Sequence, residues 1–90
     1  MAKIKFTAAL TRFFPGLREL QVEGNTVKEV LRKVDFEVPG VINYLLDEDG
    51  SLRKHVNIFI KDELIKDRYQ LSDEVGSEDE MLIYQALSGG

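Results

Sequence analysis

Residues 24–34 read GNTVKEVLRKV. Gly24-Asn25 punctuates the chain, Thr26 follows, and Glu29 stands three positions later. This is capping-box spacing, in which the threonine oxygen accepts a first-turn N–H and the glutamate reaches back to a donor before the helix. Val27, Val30, Leu31 and Val34 then recur at i, i+3, i+4 and i+7, lining one side of a helix with apolar groups. Lys28, Glu29, Arg32 and Lys33 take the other side. The stretch predicts an amphipathic helix that must lie on something apolar.

Strand patterns on both sides supply it. Upstream, Ile4, Phe6 and Ala8 alternate with Lys3, Lys5 and Thr7, the period of a half-buried strand. A turn at Phe14-Pro15-Gly16 leads to a second strand, in which Leu20 and Val22 alternate with Glu19, Gln21 and Glu23. Downstream, Val38-Pro39-Gly40 ends the helix, and Val41, Ile42, Leu45 and Leu46 suggest a short second helical turn before Asp49-Gly50. Val56, Ile58 and Ile60 mark a third strand closed by Lys61-Asp62-Glu63. Residues 62–80 read as turns with at most one short edge strand, and Met81 to Leu87 forms the last strand. Burying the helix economically means laying it across one face of a mixed sheet. The first and last strands then lie side by side and run parallel, since a helical crossover returns the chain in the same direction. The expected fold is α+β, a β-grasp with four to five strands and one main helix. Residues 1–86 form the domain and residues 87–90 a flexible tail.

Composition narrows the function. A chain of 90 residues without cysteine has no disulfide, thiolate metal site or thiol nucleophile. His55 is the sole histidine, which leaves no histidine cluster for a metal or a triad, and it reads as a surface residue. The net charge of −4 argues against general nucleic-acid binding, which needs a positive field. No apolar run approaches a membrane span, and MAKIKF lacks a signal-peptide core. A soluble, cytoplasmic protein is expected, with neither nucleic acid nor membrane as a partner. Charge is uneven: Lys3, Lys5, Arg12 and Arg18 stand near the start, and acids crowd residues 62–80. That acidic run is either a solvated loop or a flank that steers a basic partner.

The last strand runs into Ala86-Leu87-Ser88-Gly89-Gly90. On that motif and the order of elements, the chain resembles the ubiquitin-like β-grasp sulfur carriers, the MoaD/ThiS group. HVNIFIKDE, residues 55–63, and the added length between Val38 and Leu52 are similar to the carriers that deliver sulfur for cysteine synthesis. Many relatives place Asp-Gly-Asp before the final strand, where this chain has Ser77-Glu78-Asp79-Glu80.

The resemblance implies that Gly90 is the reactive residue and that Gly89 helps it enter a narrow site. An E1-like adenylyltransferase would form an acyl-adenylate on the Gly90 carboxylate. A sulfur donor would convert it to a thiocarboxylate, which a downstream synthase or acceptor would use in making molybdopterin, thiamine or cysteine. In ubiquitin-type relatives the same glycine is joined to lysines, and a non-covalent β-grasp adaptor is a third reading. Glycine suits the task because, without Cβ, it fits narrow tunnels in conformations that other residues avoid. The chain has no phosphate loop, so ATP and Mg²⁺ belong to the activating partner. The resemblance therefore implies a carrier rather than an enzyme, and no cofactor or metal is expected on the chain itself.

Alternation also predicts a docking surface. If Met81 and Ile83 face the helix, Leu82 and Tyr84 face away, and Phe59 joins them from the third strand. Such a patch either binds a partner or is covered by residues 36–52. Leu87 would anchor the contact beside the tail, while Glu78, Asp79 and Glu80 would steer from the rim.

Overall fold

The helix predicted from Thr26 forms over Val27–Glu37 (α2) in the structure, a computed structural model that describes residues 1–85. Thr26, extended at φ −134° and ψ 162°, accepts the Glu29 N–H through Oγ1 at 3.2 Å. Glu29 Oε1 accepts the Asn25 N–H at 2.9 Å, so the capping box closes one residue further out than its usual form. The next two donors, on Val27 and Lys28, go to the carbonyls of Asp73 and Leu71, each at 3.0 Å. Loop 71–73 is thereby tied to the helix start, where backbone donors otherwise lack partners. Gly24 lets the chain enter closely, because a Cβ there would lie 2.9 Å from Val30 Cγ2. Val27, Val30, Leu31 and Val34 are all buried.

Beneath them lies a five-stranded sheet in the order β2-β1-β5-β3-β4. Its strands are β1 (Ala2–Phe6), β2 (Leu20–Val22), β3 (Val56–Ile60), β4 (Glu63–Leu64) and β5 (Glu80–Gln85). The central strand, β5, runs parallel to β1 and antiparallel to β3, and β1 pairs antiparallel with β2. This is the expected β-grasp. Ile4, Val56, Ile58, Met81 and Ile83 form the floor of the core, each at most 1% exposed. Alternation in three strands sends their neighbours to the opposite face.

The first connection departs from expectation. The strand pattern continued to Ala8, but β1 stops at Phe6 and residues Ala8–Phe13 form a helix, α1. Extended Thr7 precedes it, and Thr11 Oγ1 donates to the Ala8 carbonyl at 2.9 Å. Leu10 is fully buried, so α1 packs back onto the core, while Phe13 at its end stays exposed.

The second short helix, α3, spans Val41–Leu45. The Asp35 carboxylate accepts the Gly40 and Ile42 N–H groups, each at 3.1 Å. Val41, Leu45 and Leu52 join the core that contains the α2 stripe. Residues 36–52 therefore extend the helical layer.

Residues 61–79 are better packed than their sequence suggests. Lys61 and Asp62, at φ 52° and 68°, make the two-residue turn between β3 and β4. Ile65, Leu71 and Val75 are buried. Leu71, also left-handed at φ 57°, inserts its side chain and turns its carbonyl toward Lys28. The Asp67 carboxylate accepts N–H groups from Tyr69, Gln70 and Ser72 and the Ser72 hydroxyl. That of Asp73 accepts the Lys66 and Asp67 N–H groups.

Candidate functional site: the open sheet face

The face of the sheet away from α2 carries the predicted patch. Cα partners across the strands run Lys5, Leu82, Phe59, Leu64, one residue each from β1, β5, β3 and β4. Tyr84 sits one step along β5, opposite Asn57. Leu82 and Phe59 are half-buried, and Tyr84 is 42% exposed. Leu82 and Phe59 also line a shallow groove of about 390 Å³ with Lys5, Lys61, Asp62 and Glu80. Since residues 36–52 pack with α2, they do not cover this face. The row is an exposed apolar strip on the open face of the sheet.

The charges around it fall into two groups. Glu80 lies at the edge of the row with its Oε1 3.0 Å from Lys5 Nζ. The hydrogen bond and charge of Glu80 raise the Lys5 pKa above its ordinary value. Glu78 is exposed beyond the start of β5. Asp79 is different and corrects the expectation of three steering acids. It is only 9% exposed, accepts the Gly76 N–H at 2.7 Å, and lies 3.1 Å from Lys61 Nζ. The Gly76 N–H, then Lys61, holds its pKa below the usual carboxylate range. Asp79 closes the turn before β5, which leaves Glu78 and Glu80 as the exposed acids of the three. His55 is exposed, as expected.

Two groups of residues were missed. Leu64, 50% exposed, extends the apolar row. The two-residue turn at Lys61-Asp62 was the available signal, since it fixes Leu64 opposite Phe59. The other group is aromatic and sits by the end of β5. The Tyr44 ring lies 5.5 Å from both Phe13 and Phe14, tilted to the first and edge-on to the second. Gln85 Nε2 donates to the Tyr44 hydroxyl at 2.9 Å. No sequence periodicity links α1 to α3. Leu87, Gly89 and Gly90 lie outside the described residues, as does the expected boundary at 86.

Among the described residues, no group of three or more His, Cys, Asp or Glu side chains could hold a metal ion. No helix there is long and apolar enough to cross a membrane. What the face offers chemically is docking: an apolar row, an adjacent phenol, and separated acids at one end.

A β-grasp domain with one open sheet face and a Gly-Gly pair following its central strand in sequence has the architecture of the small ubiquitin-like carriers and modifiers. The chain belongs to the ThiS family, whose family description matches residues 4–90. The sulfur carrier protein CysO of Mycobacterium tuberculosis is 26% identical over 77 residues, 83% of each chain. A chain in the crystal structure of the Amycolatopsis orientalis BexX/CysO complex superposes with a TM-score of 0.84 at 25% identity, over 100% of both chains. SAMP1 from Haloferax volcanii superposes at 0.78 with 25% identity, over 99% of this chain and 98% of that one.

Proposed function

We propose that this protein is a sulfur carrier activated at the α-carboxylate of Gly90. The observation that carries the reading is the family match, which runs through residue 90 and so includes Gly89-Gly90. A C-terminal carboxyl, with an intrinsic pKa of about 3.3–3.7, is ionised at neutral pH and nucleophilic toward a phosphoanhydride. Its oxygen attacks the α-phosphorus of ATP on an E1-like adenylyltransferase, pyrophosphate leaves, and an acyl-adenylate forms. Sulfide delivered by a sulfur donor attacks the acyl carbon, and AMP leaves with the oxygen. The product is a thiocarboxylate: its sulfur bonds to an electrophilic carbon of the acceptor and displaces that carbon's leaving group, then water takes the acyl carbon, the C–S bond to Gly90 breaks and the carboxylate is restored. Mg²⁺ on the enzyme neutralises the phosphates during the first step.

In this scheme the chain acts as a co-substrate, and its own residues bind and orient. Phe59, Leu82 and Tyr84, with Leu64 and then Leu87, make the apolar contact. Glu78 and Glu80 steer, and Gly89 gives the tail a narrow profile. His55–Glu63 and the likeness to proteins named CysO favour cysteine formation as the sulfur-consuming step over molybdopterin or thiamine synthesis. The use of ATP fits a cytoplasmic setting.

Intact mass after incubation with cell extract, ATP and sulfide tests the reading. Exchange of one oxygen for sulfur adds about 16 Da, as set by atomic masses, with the partner supplying the chemistry. Deleting Gly90 should abolish the gain and leave the melting temperature unchanged. A protein lacking Gly90 that is still adenylated at the normal rate overturns the proposal. The likeness to SAMP1, a small archaeal modifier protein, supports a second reading, conjugation of Gly90 to lysine amines. It would appear as a ladder of larger adducts. No ATP-dependent change of mass would leave the adaptor reading.

A further inference from the structure

The aromatic cluster of α1 and α3 stands apart from the sheet-face row and is tied to the strand from which the tail departs. Phe13 is 61% exposed, yet it packs against Tyr44, which also supports Phe14. Tyr44 is joined to Gln85 by a 2.9 Å hydrogen bond. The Gln85 N–H also donates to Oγ1 of Thr7, the residue that starts α1, at 3.4 Å. The exposed ring is thus held in place by the last described residue of β5.

Chain length turns this placement into a constraint. Residues 86–90 span at most about 18 Å when fully extended, at roughly 3.3–3.6 Å per residue. An enzyme that draws the Gly90 carboxylate into its site must bring its surface within that reach of Gln85. Phe13 is linked to Gln85 through Tyr44, by a 5.5 Å ring separation and a 2.9 Å hydrogen bond, and so sits beside the residue from which that reach is measured. We propose that Phe13, supported by Phe14 and Tyr44, inserts into an apolar pocket at the mouth of the activating enzyme's tail channel. It forms a second anchor beside the sheet-face row. This inference rests on the activation at Gly90 proposed above.

The test measures ATP–pyrophosphate exchange by the cognate adenylating enzyme with full-length carrier. Phe13→Ala should lower kcat/KM for the carrier by about tenfold, mainly through KM, as loss of an aromatic anchor does. Phe13→Leu should recover most of the loss. Phe36→Ala, which removes an 82% exposed aromatic from α2, should change nothing. Melting temperatures of all variants should match wild type. Phe13→Ala within twofold of wild type at equal stability overturns the inference and leaves the Gly90 reading intact. If Phe13→Ala unfolds, Phe13→Ser and Phe13→Lys take its place, since the ring is largely exposed, and an unchanged KM in a folded variant of either kind overturns the inference as well. No exchange with wild type removes both. Sedimentation showing a dimer that depends on Phe13 assigns the aromatic cluster to a second copy of the chain and also overturns the proposal.

Discussion

The two sides of β5 carry similar apolar residues with opposite fates. Met81 and Ile83 are fully buried, while Leu82 is half-buried and Tyr84 is 42% exposed. All four share a strand and a hydrogen-bonding pattern. The difference is what lies above each face: α2, α3 and the buried residues of loop 61–79 on one, solvent on the other. Hydropathy alone cannot rank these positions, because apolar side chains serve a core and an interface equally well.

The largest expected effect tests the covered side. Leu31→Ala removes a buried side chain from the α2 stripe and should cost about 2–5 kcal/mol in denaturant unfolding. A cost below about 0.5 kcal/mol, the range of surface changes, would show that the two sides are less unequal than their burial indicates.

The next effect belongs to the open side. Tyr84→Ala should leave stability within about 1 kcal/mol of wild type but weaken binding to the activating enzyme by about 1–3 kcal/mol at every salt concentration. Charge reversal of Glu78 and Glu80 sharpens the contrast. It should slow association at low ionic strength and lose its effect as salt screens the charges. If Tyr84→Ala unfolds the protein and gives no separable binding defect, the open face is part of the core.

The smallest effect concerns the acids, which divide as the apolar residues do. Asp67, Asp73 and Asp79 are turned into backbone turns, whereas Glu78 is exposed and Glu80 sits in a surface ion pair. The Gln70 N–H first, then the Ser72 hydroxyl, holds the Asp67 pKa down to about 2 from an ordinary 3.8. A folded value below the unfolded one means that the carboxylate's stabilisation is complete above about pH 4. It declines as pH falls and is lost below about pH 2. Asp67→Asn should therefore be less stable than wild type at neutral pH, and the gap should close between about pH 4 and pH 2. A gap independent of pH across that window would assign the loss to geometry rather than charge.

Most of the sheet's logic was legible because it is local. Thr26 and Glu29 cap α2 through contacts three or four residues apart, and alternation placed Ile58 inward and Phe59 outward within one strand. The parallel pairing of β1 with β5 followed from the single helical crossover. The helix α1 was not legible, because six residues are too few to show a period and Leu10 packs onto a core built by distant segments. Asp79 escaped for a similar reason: its neighbours Glu78 and Glu80 have the same chemistry, and only the turn at Gly76 distinguishes it.

The sequence by itself determined which residues are apolar and at what period, where α2 begins, and the Gly-Gly motif on which the proposed chemistry rests. Those properties depend on side-chain type and short spacing. Tertiary structure decided that residues 36–52 join the helical layer and leave the opposite face open. It also placed Leu64 across from Phe59 and Phe13 against Tyr44. Each of these rests on contacts between segments far apart in the chain, where the packing of the whole core selects the partner and local preference does not.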